Sequence, residues 1–392
     1  MSASAAVVTG KGTGAISIIQ LFGESAQDIL LKIFKRMNDK PANFYPGTIL
    51  LGDIADGNQT IDQVTIGCEG FDCFTINCHG NPLIAEMIMQ LLERHGAELV
   101  TAERLLAEIL LSQKPPSTIH VEAKLSLPKA KTIQGAKIIA NQTEHGLYQK
   151  VIHWQQNIDS LSLDRIASQA SEIINNTNPA KLIIAGCTVV LAGPPNTGKS
   201  TLLNALAGRQ KAIITNIAGT TRDWVSAQIQ IEPLAVILID TAGLDGNFSA
   251  NIYTAADRAA QEKTRQLMQK ADTTLLVLDN SQPADQLDDS LLKAISNKRV
   301  VTVLNKVDLL ARFDTAKLPQ NLTNTVQVNA KLGIGLDKLT EKIRRVCGVA
   351  DFDPKTTVCF TDRQENLIRQ LATVKSKQQA APTISELLNG QL

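Results

Sequence analysis

The run TVVLAGPPNTGKSTLLNALAG, residues 188–208, constrains this chain more than any other stretch. A β-branched strand ends in Gly193-x4-Gly198-Lys199-Ser200, and Leu202, Leu203 and Leu206 then recur on one helical face. A strand, a glycine loop and a helix in that order put backbone N–H groups around a phosphate at a helix N-terminus. Lys199 brings a positive charge to the β- and γ-phosphates, and the Ser200 hydroxyl suits Mg²⁺. The expected nucleotide-contacting stretch is Gly193, Pro194, Pro195, Asn196, Thr197, Gly198, Lys199, Ser200 and Thr201. Residues 188–348 alternate β-branched strands with amphipathic helices, so an α/β P-loop fold is expected there.

Three further motifs follow in order. The strand AVILIDTAGL ends on Asp240, a carboxylate placed to reach Mg²⁺, and Gly243 lets a backbone N–H approach a γ-phosphate. VVTVLNKVD then runs into Asn305, Lys306 and Asp308. Guanine offers two neighbouring donors that one carboxylate accepts, whereas adenine would leave Asp308 desolvated and unpaired. Asn305 braces the loops, Lys306 stacks over the base, and the backbone of Ala330 and Lys331 reaches guanine O6. Together these motifs specify a guanine-nucleotide hydrolase.

Turnover needs another group, because Leu244 follows DTAG where a glutamine would orient water. Either hydrolysis is slow, or the catalytic group comes from elsewhere. Asn196, with carbonyls of the segment that includes Thr215 and Ile217, offers oxygen ligands for a monovalent cation acting as an arginine finger would. An asparagine in such a loop also serves simply to stabilise it. Thr221, in Gly219-Thr220-Thr221, is the expected second Mg²⁺ ligand beside Ser200 and Asp240.

The whole chain has 392 residues, enough for two or three domains. Residues 1–112 mix short strands with amphipathic helices, such as NPLIAEMIMQLLERHG, and read as an α+β domain. Residues 113–187 read as helical, and 349–392 carry one helical pattern, then Pro382 and a short second run. The 39 Lys and Arg against 38 Asp and Glu argue against a nucleic-acid coat, so any RNA contact is local or shared. Cys68, Cys73 and Cys78 recur every five residues, a spacing that suits buried thiols better than a zinc site. Six cysteines without a dense framework fit a reducing cytosol, and no signal peptide or membrane span is expected.

The stretch GPPNTGKSTLLNALAGRQKAIITNIAGTTRD, with DTAGL and NKVD, resembles the MnmE/TrmE family of tRNA-modification GTPases. GAISIIQLFG is similar to that family's opening strand, and DCFTINCHGNPLIAEMIMQLL to its HGG strand-to-helix segment. The resemblance implies a GTPase domain (188–348) inserted between halves of a helical domain (113–187 and 349–392), behind an N-terminal dimerisation and folate domain (1–112). It also implies a cytoplasmic, potassium-stimulated homodimer working with an MnmG-type flavoprotein on the wobble uridine of tRNA. One-carbon units would come from a folate derivative. In the family a glutamate after DTAGL assists hydrolysis, and Asp257 is the nearest match. The chain departs from the family pattern in having no FxNGK and no TGED stretch, in reading His79-Gly80-Asn81 for HGG, and in ending on ISELLNGQL without a CxGK motif. A rival reading is therefore a regulatory or ribosome-assembly GTPase switch without modification chemistry, and a third is a nucleotide-binding scaffold without turnover.

Overall fold

A computed structural model describes residues 3–10, 12–37, 41–209, 213–215, 225–240, 266–287, 289–296 and 298–391. The chain divides into two units, Met1–Val121 and Glu122–Gln391.

In the first unit, seven strands form one sheet in the order Phe34–Arg36, Ile49–Asp56, Gln59–Cys68, Cys73–His79, Ile16–Phe22, Ser4–Val7, Glu98–Leu99. Neighbours are antiparallel except for the last pair, which is parallel. Alternation along Ile16–Phe22 sends Ile19 and Leu21 into the core, where they join Phe74 and Ile76 of the next strand. Helices Ala26–Ile33 and Pro82–Arg94 supply Ile29, Leu30, Ile88, Leu91 and Leu92 to that core. The second helix begins where Pro82 fits the first turn and Asn81 Oδ1 accepts the Leu83 N–H at 3.0 Å. The thiols of Cys68, Cys73 and Cys78 are all buried and unbridged.

The second unit holds the other sheet, ordered Thr325–Gln327, Val300–Asn305, Thr273–Asp279, Cys187–Ala192, Leu234–Asp240, Val225–Ile231, Ile213–Thr215. The first five strands are parallel and the last two pairings antiparallel. Thr273–Asp279 and Val300–Asn305 are buried along their whole length, as central parallel strands are when both faces are covered. Parallel strands end together, so Ala192, Asp240, Asp279 and Asn305 meet along one edge of the sheet, where ligands of such folds bind.

Helices from both sides of the sheet segment pack together. Gln142, on helix Ile133–Glu144, is fully buried, donates to Thr356 O at 3.0 Å, and accepts from Val358 N at 3.1 Å. Thr177, on helix Leu163–Ala185, accepts the Cys359 N–H at 3.0 Å. Glu122 accepts from Arg363 through both carboxylate oxygens at 2.9 Å, and from Thr361 and Gln364 at 2.7 Å. The C-terminal stretch differs from its sequence reading. Instead of breaking at Pro382, one helix runs Lys377–Asn389 with the proline inside. Proline removes one backbone donor there, but the buried face of Ala380, Ile384, Leu387 and Leu388 continues through it and holds the helix. Among the described residues no helix is long and apolar enough to cross a membrane.

Candidate nucleotide site

The phosphate loop joins the central strand Cys187–Ala192 to helix Lys199–Arg209, and the tight packing of its backbone explains its glycines. Gly193 has φ +144°, and a Cβ there would stand 2.1 Å from Val277 O. Gly198 has φ +94°, and its Cβ would meet Asn305 Nδ2 at 2.4 Å. Neither position tolerates a side chain without moving a neighbouring strand end. Asn196 sits between them with φ +62°, a conformation that asparagine accepts more readily than most residues.

Lys199 is buried, and its ammonium donates to the carbonyls of Gly193 at 3.0 Å and Pro194 at 2.8 Å. Its charge is thus held over the mouth of the loop. Thr197 is buried and donates its hydroxyl to Pro194 O at 3.0 Å, which tightens the turn. Pro195, Asn196, Ser200 and Thr201 are exposed, the last two on the first turn of the helix, whose Leu202, Leu203 and Leu206 are buried.

The segments carrying Asn305, Lys306 and Ala330 are wired to this loop. Asn305 donates Nδ2–H to Thr197 O at 2.8 Å and accepts the Ala330 N–H on Oδ1 at 3.0 Å. One buried amide therefore ties three segments together. Lys306 (φ +62°) donates to Asn196 O at 2.7 Å and pairs with Asp279 at 2.7 Å. Asp308 and Lys331 are exposed beside these anchors, while Ala330 is buried.

Asp279 is a residue the motifs did not single out. Burial works to raise its pKa, but hydrogen bonds from Lys306 and from the Ser281 hydroxyl and N–H outweigh it and hold the carboxyl below its ordinary value. The available signal was its place as the last residue of the apolar strand TTLLVLD, which is also how Asp240 ends AVILID.

Asp240 is buried at the end of its strand, in register with Leu191 on the strand that feeds the phosphate loop. A carboxylate and the Ser200 hydroxyl form a hard oxygen donor set that fits Mg²⁺. The side-chain oxygen of exposed Asn196 is likewise a donor suited to a hard monovalent cation. Thr215 ends strand Ile213–Thr215, paired with Ser226. Ile217, Thr221, Gly243, Leu244 and Asp257 lie outside the described residues.

In the first unit, the family-like segment ends strand Cys73–His79. Buried Asp62 accepts from His79 N at 2.8 Å and lies 2.7 Å from His79 Nδ1, leaving the rest of the imidazole exposed.

Residues 188–306 match the family described as 50S ribosome-binding GTPase, and residues 3–104 match the one described as GTP-binding protein TrmE N-terminus. The chain is similar to tRNA modification GTPase MnmE of Lacticaseibacillus paracasei, with 29% identity across 93% of this chain and 86% of the relative. It is equally similar to the protein of that name from Thermotoga maritima, at 29% identity across 88% of this chain and 82% of the relative. Among solved structures, the G domain of the T. maritima FeoB iron transporter is 28% identical with a TM-score of 0.33, covering 41% of this chain and 98% of that one. A TrmE N-terminal segment, a GTPase segment in the right order, and relatives aligned over most of their length make this chain a GTPase of the MnmE/TrmE family.

Proposed function

We propose that this GTPase hydrolyses GTP as part of modifying the wobble uridine of tRNA, as a homodimer acting with an MnmG-type flavoprotein in the cytoplasm. The observation that carries the reading is the coupling of Asn305 and Lys306 to the phosphate loop, beside an N-terminal segment matching TrmE. Lys199 binds the β- and γ-phosphates, and Asp308 reads the guanine edge while Ala330 and Lys331 present backbone donors to it. Ser200, Asp240 and Thr221 hold Mg²⁺, and Asn196 with the carbonyls of Thr215 and Ile217 holds K⁺. When bound, these cations supply positive charge to the transferring phosphoryl group. Asp257 serves as the carboxylate that assists the attacking water. The N-terminal unit holds the folate derivative that donates one-carbon units.

The test compares modified nucleosides of bulk tRNA from a deletion strain and its parent by mass spectrometry. Loss of wobble-uridine modification, restored by the wild-type gene but not by Lys199→Ala, is the expected result. Unchanged nucleosides would overturn this reading and favour a regulatory switch at the ribosome. That alternative draws on the description of the family matched by residues 188–306.

A further inference from the structure

Every polar group of Asp279 is engaged. The residue ends strand Thr273–Asp279 in register with Asn305, where NKVD begins. Gln286 brackets its backbone, accepting the Asp279 N–H on Oε1 at 3.0 Å and donating from Nε2 to Asp279 O at 3.0 Å. Ser281 fixes the carboxylate, giving Oδ1 its N–H at 2.9 Å and its hydroxyl at 2.7 Å. The other oxygen, Oδ2, accepts from the Lys306 ammonium at 2.7 Å. The following residue keeps the two strand ends together, since the Asn280 N–H donates to Asn305 O at 2.9 Å.

An aspartate that only shapes a turn needs Oδ1 alone, accepting from the residues after it. Here the whole carboxylate is withdrawn from water, its side chain 9% exposed, and Oδ2 is aimed at a lysine on another strand. Such burial is unfavourable unless the charge is paired. Lys306 gains as much from the arrangement. Its stem is four flexible carbons, which at a surface sample many rotamers. Two fixed acceptors, Asp279 Oδ2 and Asn196 O, select one of them. The stem then spans from the NKVD backbone, where Lys306 has φ +62°, to the phosphate loop.

We propose that Asp279 is a positioning residue for guanine-nucleotide binding, holding the Lys306 stem as one wall of the base pocket. The inference rests on reading Asn305 to Asp308 as the guanine-contacting loop, and adds to that loop a residue that touches no nucleotide and acts through Lys306. Asp279→Asn isolates this role. Its Oδ1 still serves Ser281, while its Nδ2–H₂ faces the ammonium with donors only, so the turn survives and the anchor is lost.

The test is release of a fluorescent GDP analogue from the full chain, followed by stopped flow at a temperature where circular dichroism shows every variant folded. Asp279→Asn and Lys306→Ala are each expected to release it about tenfold faster. The double variant should release it no faster than Lys306→Ala alone, because the first change acts through the second residue. A merely structural Asp279 would instead multiply the two effects. If Asp279→Asn does not fold, Asp279→Ser takes its place in the cycle, keeping an oxygen near Ser281 but reaching no farther. Release at the unchanged rate when position 279 is altered, or a double variant faster by the product of the singles, would overturn the proposal. Unchanged release from Lys306→Ala would overturn the NKVD reading itself, and the proposal with it, which tells the two failures apart.

Discussion

Lys306 Nζ stands 2.7 Å from the carbonyl oxygen of Asn196 and 2.7 Å from the carboxylate of Asp279. One ammonium therefore links the NKVD loop, the phosphate loop and the end of the neighbouring strand. A change at either end of this link is therefore felt at the other.

Asp279 makes this link dependent on pH. Its carboxyl has a lowered pKa in the folded chain, so the unfolded chain takes up a proton more readily. The resulting stabilisation is complete above about pH 4 and is lost as pH falls through the lower folded value. Asp279→Asn cannot titrate. Melting midpoints of the two proteins should differ most near neutral pH and converge as the solution is acidified below the ordinary carboxylate range. A constant gap across that range would count against the linkage.

Asp308 is predicted to set nucleotide choice, two residues after Lys306, which is anchored to the phosphate loop. GTP and GDP should bind with little competition from ATP, as read by fluorescent-nucleotide displacement. Asp308→Asn should shift preference toward xanthosine nucleotides, since the amide offers a donor to the extra carbonyl of xanthine. Equal displacement by ATP and GTP in the unchanged protein would remove the assignment.

Asn196 is predicted to confer cation dependence. GTP hydrolysis should run faster in K⁺ than in Na⁺ at matched ionic strength, and Asn196→Ala should abolish the difference while leaving Mg²⁺ dependence in place. Steady-state phosphate release in the two salts measures this directly. Identical rates in the unchanged protein would eliminate the potassium role.

Glu122 should matter for stability and not for nucleotide binding. It is buried and accepts from Arg363, Thr361 and Gln364. Glu122→Ala takes the carboxylate away from the partly buried guanidinium of Arg363, which keeps only the carbonyls of Glu386 and Leu387, at a cost of about 3 kcal/mol. Urea unfolding monitored by helical circular dichroism should show the loss. A shift under about 1 kcal/mol would mean the network is solvent-compensated.

The sequence alone made the backbone of the candidate site legible wherever its geometry is local. Gly193, Gly198 and Lys199 lie within seven consecutive positions, and their spacing already implies the loop geometry that their φ angles display. NKVD was readable for the same reason, as a short run at the end of an apolar strand. Asp279 was not, because its meaning depends on Lys306, which reaches it only once two parallel strands lie in register with Asp279 opposite Asn305. Pro382 misled because local propensity predicts a break, whereas the buried face of Ala380, Ile384 and Leu387 overrides one missing hydrogen bond. The joining of the helical segments was implied by the family resemblance, but no residue pattern named the partners that join them. Gln142 meets Val358, and Glu122 meets Arg363, across more than two hundred residues of intervening chain. Backbone geometry within a few residues is dictated by steric limits that each residue carries with it. Partners brought from opposite ends of an inserted sheet domain are chosen by which buried polar groups can satisfy one another, and only the tertiary structure decides that.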